Sequence, residues 1–280
     1  MINAKMIARI MGALFFIEAG FLILCSFLAV YYNESDISAF LYSAAITAGA
    51  GSIAALAGKN AEKRISRRDG YVIVTLAWVF FSLFGMLPFY LSGYIPTITD
   101  AFFETMSGFT STGATVLDNI ESLPHGLLFW RSMTQWIGGL GIIMFTIAVL
   151  PIFGVSGLQV FAAEASGPTH DKVHPRIGIT AKWIWGIYTG LTFILVILLM
   201  LGGMNWFDSI CHAFATTGTG GFSTKQASVA YYHSPYIEYV ISLFMFVSGI
   251  NFTLLLFFVN RKFKKVIDNA ELKWYFWSVT

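Results

Sequence analysis

The chain alternates long apolar stretches with short polar segments, and this pattern predicts its architecture. A helix needs about 20 mainly apolar residues to cross a bilayer. Six segments reach that length and predict membrane-spanning helices, at approximately 7–31, 38–58, 70–93, 127–150, 180–203 and 236–259. The aromatic tail from Glu271 to Thr280 resembles the beginning of a seventh span. The pattern therefore predicts an all-α polytopic membrane protein.

Two longer segments between the predicted spans, about 94–126 and 204–235, contain apolar stretches that are too short to cross. The stretches Asp100–Gly108 and Asp208–Ala215 each predict a short helix with an aspartate near its N-terminal end. About 10–14 apolar residues suit a re-entrant segment better than a span. We therefore expect two short helices that enter the membrane without crossing it.

The order of these elements repeats along the chain. A span, a half-helix, a Thr/Gly-rich loop and a second span occur at 70–150 and again at 180–259. Such a duplication predicts an N-terminal helical hairpin followed by two parallel span–half-helix–filter loop–span (M1-P-M2) repeats around an axis along the membrane normal. The expected domains are 1–64 for the hairpin, 65–155 for the first repeat, 156–265 for the second repeat and 266–280 for the start of a truncated third repeat.

Each predicted half-helix leads into a loop rich in threonine and glycine. Loop 1 is the segment Phe109–Val116 and loop 2 is the segment Thr216–Ser223, and their prominent glycines are Gly113 and Gly220. Irregular backbone at membrane depth is tolerated only where protein or a water-filled cavity surrounds it. Glycine allows unusual backbone angles, threonine adds a hydroxyl, and rings of carbonyl oxygens can replace the hydration shell of K⁺. The loops therefore predict a lining for a monovalent-cation path.

Ordinary turns are also rich in glycine, serine and threonine, so one such loop alone does not distinguish a turn from an ion path. Two loops in a duplicated unit make a stronger case. Each also follows a half-helix whose C-terminal end carries partial negative charge and favours a cation just beyond it. The repeated arrangement favours the ion path.

Charged residues are few and unevenly placed. Only 11% of the 280 residues are charged and 56% are hydrophobic, whereas soluble domains carry about 25% charged residues. If the six spans alternate, 15 of the 17 basic residues lie on one side, leaving Arg131 and Lys225 opposite. Because basic residues concentrate on the cytoplasmic side, we expect a multi-pass protein of the bacterial inner membrane with a cytoplasmic N-terminus. This distribution gives no indication of nucleic-acid binding.

Several other polar residues are weaker candidates for function. Glu18 lies inside the first predicted span, where a carboxyl group has a transport role, pairs with another helix or is neutral. Arg131 is expected to pair with an acidic group or to extend to the interface. Acidic residues of the predicted outer segments either concentrate cations or form a solvated surface: Glu34, Asp36, Asp100, Asp118, Glu121, Asp208 and Glu238.

Enzyme chemistry is not expected from this sequence. No catalytic constellation and no phosphate-binding glycine loop is legible in it. His170 and His174 have a spacing that suits a metal pair, but no third ligand is nearby. We therefore expect no cofactor and no metal other than the transported ion.

Several motifs resemble the TrkH family of potassium-uptake proteins. They are Ala101–Glu104 with Ser107–Val116, Trp130–Ile143, Ala163–Pro168 with Asp171–Arg176, and Cys211–Phe214 with Thr219–Thr224. The resemblance covers essentially the whole chain. The additional hairpin before the first repeat resembles TrkH more than the shorter KtrB-like relatives.

The resemblance implies K⁺ translocation through a filter to which each repeat contributes one loop. It also implies a cytoplasmic, nucleotide-binding regulatory partner similar to TrkA. The implied filter positions are Thr110, Ser111, Thr112, Gly113, Ala114, Gly218, Thr219, Gly220 and Gly221.

The family has four repeats in one chain, whereas this sequence has two. Either the chain is the N-terminal half of a longer or split protein, completed by a complementing half-chain, or two copies assemble as a homo-oligomer. The aromatic tail favours truncation. A non-conducting half-transporter or assembly subunit is the alternative to a K⁺-uptake subunit. The preference between Na⁺ and K⁺ stays open.

Overall fold

The computed structural model describes residues 2–62, 66–141 and 177–279. These residues form α-helices joined by turns, and no strand occurs among them. The α-helices are α1 (Ala4–Tyr32), α2 (Ile37–Ala57), α3 (Arg67–Gly85), α4 (Leu87–Leu91), α5 (Ile98–Phe109), α6 (His125–Gly139), α7 (Ile177–Leu201), α8 (Trp206–Thr217), α9 (Pro235–Ser248), α10 (Phe252–Val259), α11 (Phe263–Ile267) and α12 (Ala270–Val279).

Four helical stretches in the described part are long and apolar enough to cross a membrane. They are Ala4–Tyr32, Ile37–Ala57, Arg68–Leu91 and Ala181–Leu201. They correspond to the first, second, third and fifth spans predicted from the sequence. The expected all-helical architecture with several apolar helices is therefore confirmed.

The sixth predicted span, 236–259, is not one straight helix. Its axis turns by 98° between α9 and α10, and the Asn251 side chain caps the first turn of α10 as the start of a new helix. A continuous helix would bond the Phe246 carbonyl internally, but here that carbonyl accepts a hydrogen bond from the Tyr275 hydroxyl at 3.0 Å. Helix α12 thus supplies a hydrogen-bond donor, the Tyr275 hydroxyl, to the Phe246 carbonyl at the break between α9 and α10.

Some predictions fall on residues that the structure does not describe. The fourth predicted span, 127–150, begins as α6, and its part after residue 141 lies outside the described residues. The same holds for the segment 151–176, which contains His170, His174 and the predicted boundary between the two repeats.

The hairpin of α1 and α2 is held by a close approach of the two backbones. A Cβ atom added at Gly12 would lie 2.8 Å from the Ala55 nitrogen and 2.9 Å from the Gly51 carbonyl oxygen. A Cβ added at Gly51 would lie 3.2 Å from the Gly12 carbonyl oxygen. Small residues allow helices to approach in this way, and packing then stabilises their association in a bilayer.

Replacing Gly12 with leucine is therefore expected to lower the free energy of unfolding by about 2 kcal/mol, because overpacking at a close contact costs about 1–3 kcal/mol. Gly20 lies in the same helix and has no atom within 4 Å of an added Cβ. The variant Gly20→Leu is the matched control and is expected to unfold like the parent. Unfolding of the purified protein in mixed detergent micelles measures both, and equal effects of the two substitutions would contradict the close-contact explanation.

Helix α6 lies at the centre of the described helices and positions the candidate site. Its Trp130 indole donates a hydrogen bond to the Gly85 carbonyl at 2.8 Å, which fixes α6 against α3. On the other side, the Trp136 ring is stacked on Phe214 of α8, with 5.0 Å between centroids. The Tyr188 hydroxyl of α7 donates to the Trp136 carbonyl at 2.8 Å. These contacts place α6 between α3 on one side and α7 and α8 on the other.

Candidate functional site

The two short helices predicted from the sequence are present, and their local structures match. Both α5 and α8 contain 12 residues. Each begins with a polar cap, Thr97 or Asn205, whose side chain accepts a hydrogen bond from the backbone N–H of Asp100 or Asp208. The two caps are separated in the sequence by the same interval as the two aspartates. The matching caps explain why both helices begin just before an aspartate.

The loops after these helices have the same backbone geometry in the same register. Ser111 and Thr219 have left-handed φ angles of 53° and 54°, and Gly113 and Gly221 have φ angles of 76° and 88°. Both pairs are separated by the interval that also separates the two helix caps. A left-handed serine or threonine is strained, and such residues concentrate at functional sites. The structural equivalent of Gly113 is therefore Gly221, although the sequence draws attention to Gly220.

Loops 1 and 2 contact each other directly. A Cβ atom added at Gly113 would overlap the carbonyl oxygen of Gly220. Only a glycine at position 113 lets the second loop approach this closely, and the positive φ at Gly113 independently favours glycine. The structure thus brings the two sets of predicted site residues together at one junction.

Helix α6 supports both loops from behind through its glycines. A Cβ at Gly138 would overlap the Phe109 carbonyl, and a Cβ at Gly139 would overlap the Gly218 α-carbon. The Gln135 side chain also contacts loop 2, since its Oε1 accepts a hydrogen bond from the Phe222 backbone N–H at 2.9 Å. The C-terminal part of α6 is therefore a common support for the two loops.

A buried ion pair links the same helix to both loops. Arg131 Nε lies 2.6 Å from Glu104 Oε1, and both side chains are almost fully buried. Glu104 also accepts hydrogen bonds from the Thr115 hydroxyl at 2.9 Å and the Val116 backbone N–H at 3.0 Å. Arg131 donates to the Ser223 carbonyl at 3.0 Å. One charge pair thus holds the end of loop 1 and the end of loop 2.

Arg131 also contacts loop 2 through its guanidinium plane. The guanidinium carbon lies 3.6 Å from the centroid of the Phe222 ring. Stacking on an aromatic face stabilises a cation most where water is excluded. The pairing that the sequence suggested for Arg131 is therefore present, with Glu104 as the partner.

Beside loop 2, His212 takes the position that Glu104 has beside loop 1. The interval between Glu104 and His212 equals that between the two helix caps, and Ser223 follows Thr115 by the same interval. His212 Nε2 lies 3.0 Å from the Ser223 hydroxyl oxygen, and the other ring nitrogen lies 2.8 Å from the Asp208 carbonyl oxygen. Burial lowers the pKa of His212, so the neutral imidazole is favoured. The two loops therefore use the same anchoring positions with different chemistry.

Asp208 is held by its own hydrogen-bond network beside loop 2. Burial acts to raise the pKa of this carboxyl, but the hydrogen bonds of Thr224, Tyr232 and Asn205 outweigh it and lower the pKa. The Thr224 hydroxyl donates at 2.6 Å and the Tyr232 hydroxyl at 2.9 Å. Asp208 and Asp36 are both buried, so neither belongs to the solvated acidic surface that the sequence left open for them.

Five of the nine candidate filter residues are exposed. Thr110, Thr112, Ala114, Thr219 and Gly221 are exposed. Of the remaining candidates, Gly218 is buried, and three are half-buried: Ser111, Gly113 and Gly220. Exposed polar backbone of this kind is tolerated in a membrane only where protein or water covers it.

Oxygen atoms dominate the chemistry available at this junction. Within the described ranges, no group of three His, Cys, Asp or Glu side chains is placed to hold a metal ion. The Thr110 and Thr112 hydroxyls lie 2.8 Å apart, and the Ser107 hydroxyl donates to the Ala114 carbonyl at 2.6 Å. Hydroxyl and carbonyl oxygens suit a weakly held, partly dehydrated monovalent cation.

Sequence reasoning missed the residues that support the loops. No separate role was predicted for Gln135, Glu104 or His212, which lie within the motifs that resemble the TrkH family. A partial signal was available, since Glu104 and His212 are separated by the same interval as the two aspartates. Nothing in the sequence indicated that the Gln135 side chain packs against loop 2 behind the junction of the loops.

A family model described as TrkH, cation transport protein, matches residues 36–278. The Trk system potassium uptake protein TrkH of Escherichia coli K12 is 42% identical over 252 residues, which are 89% of this chain and 52% of that protein. The Trk system potassium uptake protein TrkI of Halomonas elongata is 35% identical over 268 residues, 95% of this chain and 54% of that protein.

A solved structure has a fold similar to that of this chain. The crystal structure of the potassium transporter TrkH from Vibrio parahaemolyticus matches with a TM-score of 0.76 at 33% sequence identity. The match covers 98% of this chain and 54% of that one. The chain thus spans about half the length of the relatives that it matches.

Proposed function

This chain belongs to the TrkH family of cation transport proteins, and we propose that it contributes half of a potassium-uptake pathway through a bacterial inner membrane. The contact between loops 1 and 2 carries this proposal. Two loops with matched backbone geometry meet at Gly113 and Gly220, and five of their nine candidate filter residues are exposed. The relatives named above are transport proteins rather than enzymes.

In this proposal the ion passes along the open side of the two loops. The lining groups are backbone carbonyls and hydroxyls of nine residues: Thr110, Ser111, Thr112, Gly113, Ala114, Gly218, Thr219, Gly220 and Gly221. Three observations support this lining: the left-handed residues in equal positions of both loops, the glycines at the junction and the rigid support by α6. The C-terminal ends of α5 and α8 point their partial negative charge toward the loops.

The finer architecture belongs to the same proposal. The constant sequence interval between equivalent caps, aspartates and loop residues supports two parallel span–half-helix–filter loop–span repeats after an N-terminal hairpin, with the domains 1–64, 65–155, 156–265 and 266–280. The placement of basic residues supports a cytoplasmic N-terminus. The basic cytoplasmic face is then the side on which a TrkA-like nucleotide-binding regulator would dock.

Two loops enclose only one side of an ion, so the pathway needs two more. They come from a second copy of this chain or from a complementing half-chain. The alternative function, a non-conducting half-transporter or assembly subunit, is favoured if the second copy cannot supply them. This alternative is consistent with the chain's coverage of only about half the length of its relatives.

Reconstitution separates these possibilities. We expect purified chain in liposomes to take up Rb⁺ tracer with a preference over Na⁺ if two copies complete the pathway. If uptake appears only after co-expression with the C-terminal half of a full-length relative, the chain is a half-transporter. Absence of Rb⁺ uptake in both preparations, with the protein folded and inserted, would contradict the proposed function.

A further inference from the structure

We propose that Gln135 is a positioning residue that sets the separation of loops 1 and 2, and through it the preference for larger over smaller monovalent cations. The separation itself follows from contacts within the chain. The effect on ion preference rests on the proposed function, and the experiments below test the two parts separately.

The first observation is the contact of Gln135 with loop 2. The side chain is completely buried, and its Oε1 accepts a hydrogen bond from the Phe222 backbone N–H at 2.9 Å. The backbone carbonyl of Gln135 lies against Gly218, where an added Cβ would overlap it. One residue of α6 therefore contacts both ends of the glycine-rich stretch of loop 2.

The second observation places the carboxamide at the junction of the loops. A Cβ atom added at Gly220 would overlap the Gln135 carboxamide, and a Cβ added at Gly113 would lie 3.9 Å from Gln135 Nε2. The carbonyl oxygen of Gly220 in turn faces Gly113. Gln135, Gly220 and Gly113 thus form a continuous series of contacts from α6 through loop 2 to loop 1.

The third observation is an unused donor. Gln135 Nε2 is buried and has no hydrogen-bond partner among the described residues. A buried donor without a partner is unfavourable, whereas the Oε1 bond fixes the orientation of the carboxamide. The carboxamide fills the space behind the junction and keeps loop 2 from moving toward α6.

A fixed spacing affects ions of different size differently. Carbonyl oxygens replace the hydration shell of K⁺, and cavity size is one proposed origin of K⁺ over Na⁺ preference. Loops that can contract satisfy the smaller ion as well. The Oε1 hydrogen bond to the Phe222 N–H holds loop 2 on α6 and prevents that contraction, so truncation of Gln135 is expected to admit Na⁺ more than it alters Rb⁺.

The spacing is tested by amide hydrogen exchange of the full chain in detergent, which needs no transport. We expect Gln135→Ala to increase exchange about fivefold or more in peptides covering both loops, 109–116 and 218–223. An increase confined to 218–223 would show that Gln135 only anchors loop 2 and would overturn the proposal, as would unchanged exchange in both loops.

A volume exchange makes this test specific. The Cβ of an alanine at position 220 would occupy the space that Gln135→Ala vacates, and Gly220 does not have a positive φ angle. We expect Gly220→Ala alone to disturb both loops and the double variant Gln135→Ala/Gly220→Ala to restore part of the protection. Additive damage in the double variant would contradict a spacer role.

Ion preference is measured as the ratio of Rb⁺ to Na⁺ uptake in the complete assembly. We expect Gln135→Ala to lower this ratio at least about fivefold, with a smaller change in Rb⁺ uptake. The matched control is Gln226→Ala, since Gln226 also accepts a backbone hydrogen bond across the chain, from Ile120 at 3.0 Å, and is expected to leave the ratio unchanged. An unchanged ratio in Gln135→Ala would overturn the selectivity part. Lack of any uptake by the parent would reject the proposed function, and the exchange experiment would still decide the spacer role.

Discussion

Replacing Gly113 with alanine is expected to reduce Rb⁺ uptake by the complete transport assembly about 10- to 100-fold. The added Cβ would overlap the Gly220 carbonyl oxygen, so one loop has to move away from the other. The alanine would also have to adopt the φ angle of 76° that the glycine has. Overpacking at a close contact costs about 1–3 kcal/mol, and about 1.4 kcal/mol already corresponds to a tenfold change.

The control separates the overlap from the backbone angle. Gly93 has a similar φ angle of 80°, and a Cβ added there has no atom within 4 Å. Gly93→Ala therefore carries the angular strain without the collision, and we expect it to transport nearly as the parent does. Uptake measured at equal membrane abundance distinguishes the two. If Gly113→Ala retained parental uptake, or if Gly93→Ala lost as much, the loop junction would not be the ion path.

Much of the fold could be predicted from the sequence because the membrane imposes simple constraints. Apolar length alone located the spans at α1, α2 and α7, since every backbone group in lipid has to be bonded within its own helix. The aspartates of α5 and α8 were reliable signals because capping depends on neighbouring residues only. Features determined within a few residues of the chain were therefore accessible.

The register of the two loops was not accessible in the same way. Gly113 and Gly220 are both prominent in the sequence, but the backbone pairs Gly113 with Gly221. Glycine has two separate roles here, a left-handed angle at Gly113 and Gly221 and a close approach at Gly220. The sequence shows that a glycine is present, but it does not show which of these two roles the glycine has.

The supports of the loops depend on contacts between distant segments, and this is why they were missed. Arg131 and Ser223 are 92 residues apart, and Gln135 and Phe222 are 87 apart. The 98° turn between α9 and α10 is likewise accompanied by a distant contact, the hydrogen bond from the Tyr275 hydroxyl of α12 to the Phe246 carbonyl. Composition and periodicity contain no information on such distant pairs when a single sequence is available.

Neutralising one partner of the buried ion pair is expected to have the largest effect on stability. The variant Glu104→Gln would leave the Arg131 guanidinium buried without its counter-charge, and removing one partner of a buried pair costs about 3–5 kcal/mol. Glu104 and Arg131 are only 1% and 2% exposed, so water cannot replace the lost partner. The free energy of unfolding in mixed micelles is the measurement, and exchange in both loops is expected to increase because the pair holds both ends.

The size of this effect follows from burial, and two further variants test that reasoning. Glu34→Gln weakens the pair of Glu34 with His125, whose side chains are 22% and 40% exposed, and solvated pairs contribute only about 0–1 kcal/mol. The double variant Glu104→Gln/Arg131→Met removes both charges and is expected to recover a large part of the loss, because no unpaired charge stays buried. If Glu104→Gln destabilised the protein no more than Glu34→Gln, or if the double variant showed the sum of both single losses, the pair would not be the link that holds the two loops to α6.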